Sequence, residues 1–357
     1  MQHLILFACL LLFLLLVLRA NDTRETTSLK GSTTSKLYAL EEKRLYLERE
    51  ALLHPVHYET RRKGNETFFH RLLRQNFTSK QQLLSQLINP YSGYVLCNYY
   101  LSTEVQRVDI DVTGKTDLRS INDYSKIKNG SVIMVQNNFL EHFVHHILPH
   151  LRYNVILITG QWMLPSLEAS PLSRQILNHK HIVKWFSQNP RMEYVNEKKY
   201  LPFPYGFKDT SLLPYYAFLR KNHDDVKKVR FSHLFCSIHK HLPLNHIRKM
   251  YPVVCSGEKL PYDTFLRKVA QTSFLLSPVG DRDDCYRHWE AIGLNAVPIS
   301  NVGAQYKTLF GNNMMYSNRS TMIKLVESGD VEGVSYHQTN RDLITLDYWR
   351  QWMHNLF

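Results

Sequence analysis

The sequence lacks the short motifs that mark metal and hydrolytic chemistry. Its five cysteines never fall at Cys-x-x-Cys spacing, which argues against a zinc or dithiol redox site. There is no His-Glu-x-x-His, no Gly-x-Ser-x-Gly and no identifiable pair of catalytic carboxylates, so a hydrolase reading is weak. No internal repeat is seen. Acidic residues are in deficit: 31 Asp and Glu against 44 Lys and Arg leave a net charge of +13. The basic residues are scattered rather than blocked, which excludes a nucleic-acid patch and leaves a surface suited to anionic substrates such as nucleotide diphosphates. With 44% hydrophobic and 21% charged residues over 357 positions, the composition is that of a globular chain long enough for two domains and a tail.

What is present begins with an apolar run. Leu4 to Leu18 are fifteen consecutive apolar residues, a length that fits a thin endoplasmic reticulum or Golgi bilayer or a signal-peptide core. No Lys or Arg precedes it, while Arg19 and Arg24 follow, so charge does not fix its orientation. Leu18-Arg19-Ala20 is a poor cleavage site, which favours an uncleaved anchor over a cleaved signal. Five acceptor sequons, at Asn21, Asn65, Asn76, Asn129 and Asn318, agree with a luminal chain. The expected location is the Golgi or endoplasmic reticulum membrane with a luminal body, or secretion if the leader is cleaved. Beyond the leader, Cys97, Cys236, Cys255 and Cys285 allow three connectivities, with Cys236 and Cys255 able to close a bridge within one domain.

The body divides by composition. Residues 1–18 are the membrane segment, and 19–90 are expected to form a stem with a Thr- and Ser-rich start and a helix from Leu37 to Leu53. An N-terminal α/β domain is expected over 91–225 and a C-terminal one over 226–357, with the charged stretch Lys221–Arg230 between them. Continuous apolar strands at 130–135, 154–160, 182–190 and 200–206, with a helix over Phe139–Leu151, predict a parallel sheet covered on both faces. A second set starts at His233–Ile238. There a helix over Pro261–Gln271 leads into a strand at Phe274–Leu276.

That strand opens the most informative stretch. Ser277-Pro278-Val279-Gly280 closes it, Asp281 to Asp284 offer helix caps, and a helix follows with Cys285, Trp289 and Ile292 on one face. Ala296-Val297-Pro298-Ile299 is the next strand, which completes a βαβ unit. In such units an anion is favoured at the helix N-terminus, beyond the carboxyl ends of the strands. Arg287 and Glu290 lie in the first turns.

The stretch resembles the C-terminal motif of exostosin-type glycosyltransferases. Ser277, Pro278, Gly280, Asp284, Cys285, Arg287, Trp289, Glu290, Ala291 and Pro298 match that motif as they stand. Val279 replaces an Arg, Tyr286 and His288 replace His and Thr, and Asn295 replaces a Gly in a position where Asn tolerates the left-handed backbone. Gln136-Asn137, Trp185 to Asn189 and Leu201-Pro202 with Tyr205-Gly206 follow the family order upstream.

The resemblance implies two Rossmann-like domains facing a cleft, the GT-B arrangement. It implies transfer of a sugar from a nucleotide-sugar donor, expected to be UDP-linked, to a hydroxyl of a glycan or glycoprotein. Ser277, Gly280, Asp284, Arg287 and Glu290 would hold the donor, Arg287 by the forked contact a diphosphate takes and Glu290 through the ribose. No metal is expected, because Asp281-Arg282-Asp283 reads as a solvated cap. The acceptor base would come from the N-terminal domain, where Glu141 and His142 follow a strand end, and His145 and His146 lie a turn on. His239 and His241 are alternative phosphate-side donors. The alternative is a glycan-binding protein without catalysis on the same fold, supported by Val279, Tyr286 and His288.

Overall fold

The computed structural model describes residues 67–160, 171–188, 190, 198–222, 232–237, 255–256, 260–280, 282–328, 331 and 336–356. The apolar leader, the expected stem helix, Asn21, Asn65, Asp281, His239 and His241 lie outside them. Among the described residues no helix is long and apolar enough to cross a membrane.

Two parallel sheets carry the fold. The first contains β1 (Tyr99–Leu101), β2 (Thr116–Asp117), β3 (Ser131–Gln136), β4 (Val155–Gly160), β5 (Ile182–Ser187) and β6 (Tyr200–Pro202), in the order β2-β1-β3-β4-β5-β6. The second contains β7 (Ser232–Ser237), β8 (Cys255–Ser256), β9 (Thr272–Leu276), β10 (Val297–Ser300) and β11 (Met315–Tyr316), in the order β11-β10-β9-β7-β8. Every pairing within both sheets is parallel. The α/β expectation therefore holds, and the strands read from apolar runs fall where expected. Strands β3 and β4 are buried along their whole length, because helical segments cover both faces of a parallel sheet.

Strand alternation sorts the core. Ile133, Leu157 and Trp185 face one side of the first sheet, with Phe143, Ile147 and Ile176 against them. Met134, Ile158 and Phe186 face the other side, where they join Leu275 of the second sheet and Trp289 and Ile292 of the helix Tyr286–Gly293 in one continuous cluster. Phe274, Leu276, Val297 and Ile299 pack on Met322 and Val326 of the helix Arg319–Ser328. The disulfide is Cys236–Cys255, joining residues that face each other in the β7–β8 pair.

Three expectations need correction. Residues 68–90, the end of the expected stem, contribute side chains to the core. Phe69, Leu72, Leu83, Leu84, Leu87 and Ile88 are buried, and Phe69 N donates to Asp342 Oδ1 at 2.8 Å while Leu346 N donates to the Gln86 carbonyl at 2.8 Å. Short amphipathic helices at Phe68–Arg74 and Lys80–Leu84 supply that apolar stripe. The last helix, Leu346–His354, does not stay with the second sheet, because Trp352 packs on Phe186 with ring centroids 5.0 Å apart. The single helix expected over 139–151 is a chain of short pieces: an α turn at Leu140–His142, a π-helical turn at Phe143–Ile147 and a 3-10 turn at Leu148–His150. Pro149, which has no N–H, prevents regular α bonding through the last of these.

Candidate functional site

In an open parallel sheet the crevice for a ligand lies beyond the carboxyl ends of the strands, where the strand order reverses. In the second sheet the chain goes from β7 out to β8 and returns as β9, so the reversal lies between β7 and β9. In the first sheet it lies between β1 and β3. The residues expected to hold a donor follow β9, and those expected to activate an acceptor follow β3.

The turn after β9 is tightly built. Ser277 N donates to the Ile299 carbonyl at 2.9 Å and continues the ladder by one residue. Val279 N donates to Asn301 Oδ1 at 3.0 Å, and Gly280 N donates to the Arg282 carbonyl at 3.0 Å. Ser277 is fully buried, with its hydroxyl 3.4 Å from Cys285 Sγ. Ser277 and Gly280 thus place their polar groups inside the turn. The helix Tyr286–Gly293 starts from Cys285 as its N-cap, not from an aspartate.

Asp284 does different work. It is buried, its Oδ1 accepts from Trp289 Nε1 at 2.6 Å, and its Oδ2 accepts from Tyr205 N at 2.6 Å. Tyr205 belongs to the loop after β6, so this carboxyl ties the carboxyl edge of one sheet to that of the other. Arg282 stacks over the Tyr205 ring at 3.9 Å, and Tyr286 lies 5.6 Å from it on the helix N-terminus. Gly206 makes the approach of this loop feasible. Its φ is +75°, and a Cβ there would stand 2.3 Å from the Ile88 carbonyl carbon. Burial raises Asp284 to about 7 despite His288 nearby.

Glu290, one turn into the helix, is also buried. Its Oε1 accepts from the Tyr262 hydroxyl at 2.7 Å, and its main-chain carbonyl accepts from the Tyr215 hydroxyl at 3.1 Å. Burial raises the carboxyl to about 7, against the opposing pull of the Tyr262 hydrogen bond and the Arg287 guanidinium. Arg287 is half-buried on the first turn, three residues before Glu290. The structure therefore brings Arg287 and Glu290 together, with Ser277, Gly280 and Asp284 building the loop that presents them.

The first-sheet crevice is polar but differently furnished. Ser102 Oγ donates to Gln136 Oε1 at 2.8 Å and lies 2.8 Å from the Tyr94 hydroxyl, all three residues being buried. Glu141 and His142 stand one turn beyond β3 and are exposed, as are His145 and His146. The His142 and His146 rings are 4.7 Å apart. No group of three or more His, Cys, Asp or Glu among the described residues is arranged to hold a metal ion. Of the described sequons, Asn76, Asn129 and Asn318 are all exposed, and Asn318 Oδ1 accepts from Thr321 N at 2.9 Å at the head of a helix.

Sequence reasoning did not find Tyr205, Tyr262 or His288 as parts of this site. His288 is fully buried on the helix, with Nε2 2.9 Å from the Ser277 carbonyl. Tyr262 opens a helix placed by hydrophobic spacing alone, and nothing local marked its hydroxyl for Glu290. Asn295 adopts φ +60°, the left-handed backbone its position in the sequence suggested. No protein-family model matches this chain, and no curated protein matches it.

Proposed function

We propose that the protein is a glycosyltransferase that moves a sugar from a nucleotide-sugar donor to a hydroxyl of a glycan or glycoprotein in the secretory pathway. The observation that carries this reading is the pair Arg287 and Glu290 in the first two turns of a helix after β9, beside the strand-order reversal of a parallel sheet. A half-buried guanidinium at a helix N-terminus suits a diphosphate, whose charge grows as the glycosyl bond breaks. Glu290, oriented by Tyr262, is the acceptor for ribose hydroxyls. The donor is UDP-linked in this reading, and protein groups rather than a metal neutralise the leaving diphosphate. The acceptor enters from the first-sheet side, where Glu141 or His142 takes the proton of its hydroxyl. The membrane segment at 4–18 holds the body in the lumen of the Golgi or endoplasmic reticulum.

One observation favours a second reading, a glycan-binding protein without catalysis. Val279 offers no cation, and the Gly280 N–H and Ser277 hydroxyl are engaged within the turn. Thermal shift of the luminal chain against UDP, GDP and CMP separates the two. A nucleotide that binds should stabilise the fold by about 2.7 kcal/mol at a hundredfold excess over its Kd. Arg287→Ala and Glu290→Ala should abolish that shift. If no nucleotide shifts the folded wild type, the transferase reading fails and the binding reading leads.

A further inference from the structure

We propose that Cys285 is a reactive thiol that forms mixed disulfides with low-molecular-weight disulfides, with His288 as its base and Asp284 behind the imidazole.

His288 is fixed in one tautomer. Its Nε2 lies 2.9 Å from the Ser277 carbonyl, and a carbonyl only accepts, so Nε2 carries a proton. Its Nδ1 faces Cys285, whose backbone N–H donates to it at 3.4 Å, and the ring is the strongest of the groups that favour the thiolate. Asp284 Oδ1 stands 3.9 Å from the same Nδ1 and favours the imidazolium that forms when the thiol gives up its proton. The sulfur also lies 3.4 Å from Ser277 Oγ, and Cys285 caps an eight-residue helix, where the terminal N–H groups favour a thiolate. Unlike Cys97, which is 2% exposed, Cys285 is only partly buried.

A second feature marks the spot. Leu276 and Ile299 share one sheet face, so Ser277 and Ser300 share the other. The Ser300 hydroxyl is fully buried there, with no hydrogen-bond partner among the described residues.

Burial alone would raise the thiol. The His288 imidazole, its hydrogen bond to the sulfur, Arg287 and Ser277 together outweigh burial and bring it to about 6. Among the described residues, titratable groups around this spot include Asp283, Asp284, Tyr286, Glu290 and Tyr306. In the reaction the thiol proton passes to Nδ1. The thiolate sulfur attacks one sulfur of the small disulfide, the old S–S bond breaks as the new one forms, and the departing thiolate takes the proton. The Cys285 sulfur is oxidised and the departing sulfur reduced, so no further oxidant is needed.

The test treats the full chain with oxidised glutathione from pH 7 to pH 9 and follows each cysteine by peptide mass spectrometry. Cys285 should be modified in the folded protein while Cys97 is not. A thiol near 6 is already about 90% ionised at pH 7, so the rate should change by less than about twofold across this range. An ordinary thiol near 8.5 would speed up about twentyfold. His288→Gln should convert the flat profile to the steep one. A wild type that stays unmodified until unfolded, or whose rate climbs about twentyfold, overturns the proposal. Should His288→Gln fail to fold, the wild-type profile decides by itself.

Discussion

The carboxyl edges of the two sheets differ in where they keep their ionisable groups. Past β3 in the first sheet, Glu141, His142, His145 and His146 stand in solvent on short helical turns. Past β9 in the second, Asp284, His288 and Glu290 are buried, each held by a named donor or acceptor. The same topology thus supports an exposed array at one edge and a preorganised one at the other. Burial in low dielectric moves the second set away from ordinary titration and makes stability depend on it. Exposed groups are free to exchange partners and contribute little to folding.

The largest effect expected is at Asp284. Asp284→Ala would leave Tyr205 N and Trp289 Nε1 buried without an acceptor, costing about 4 kcal/mol. Urea denaturation of the variant measures it, and a loss under 1 kcal/mol would mean that the edges are not latched through this carboxyl.

Next comes pH. Asp284 and Glu290 both have folded-state values raised to about 7, so between about 4.5 and 7 the native state holds protons that the unfolded chain has lost. Stability should therefore fall as pH rises through that window and level off above it. The Glu290 share is on the order of 3 kcal/mol. Glu290→Gln should flatten that share of the slope in denaturation curves recorded from pH 4.5 to 8. An unchanged slope would place the pH dependence elsewhere.

Tyr262→Phe removes the hydroxyl that donates to Glu290, a loss of about 1 kcal/mol. It should also push the Glu290 carboxyl further up, so the pH at which stability levels off should move higher. A loss of stability without that movement would make Tyr262 a packing residue only.

The smallest effect belongs to the first edge. Glu141→Gln and His142→Asn should each change stability by less than about 0.5 kcal/mol. Whichever acts as base under the proposed transfer should nonetheless lose rate about a hundredfold. A large stability loss from either would erase the contrast between the edges, and full activity in both would remove them from the chemistry.

Much of the fold was legible because its signals are local. Val132 to Val135 and Val155 to Ile158 are apolar runs that only a sheet covered on both faces tolerates, and they became β3 and β4. Trp289 and Ile292 lie on the core face that their spacing marked. The Cys236–Cys255 bridge was one of the pairings considered. The misses share a cause. Phe69, Leu83 and Leu87 look like part of a charged, irregular tail until residues 341–346 supply the surface that buries them. Within the candidate site, Arg287 and Glu290 stood out by residue type and position. Asp284 read as a donor contact or a cap, yet its partners come from 79 residues upstream and 5 residues downstream.

By itself the sequence determined the alternation of strands and helices, the βαβ unit around residues 272–300 and the residues that bear charge within it. Hydrophobic period and turn chemistry act over a few residues and can be read along the chain. Only the tertiary structure decided which carboxyls are buried, which histidine faces the thiol and which tyrosine orients Glu290. Those outcomes depend on distance and desolvation between segments far apart in sequence, and no local pattern encodes them.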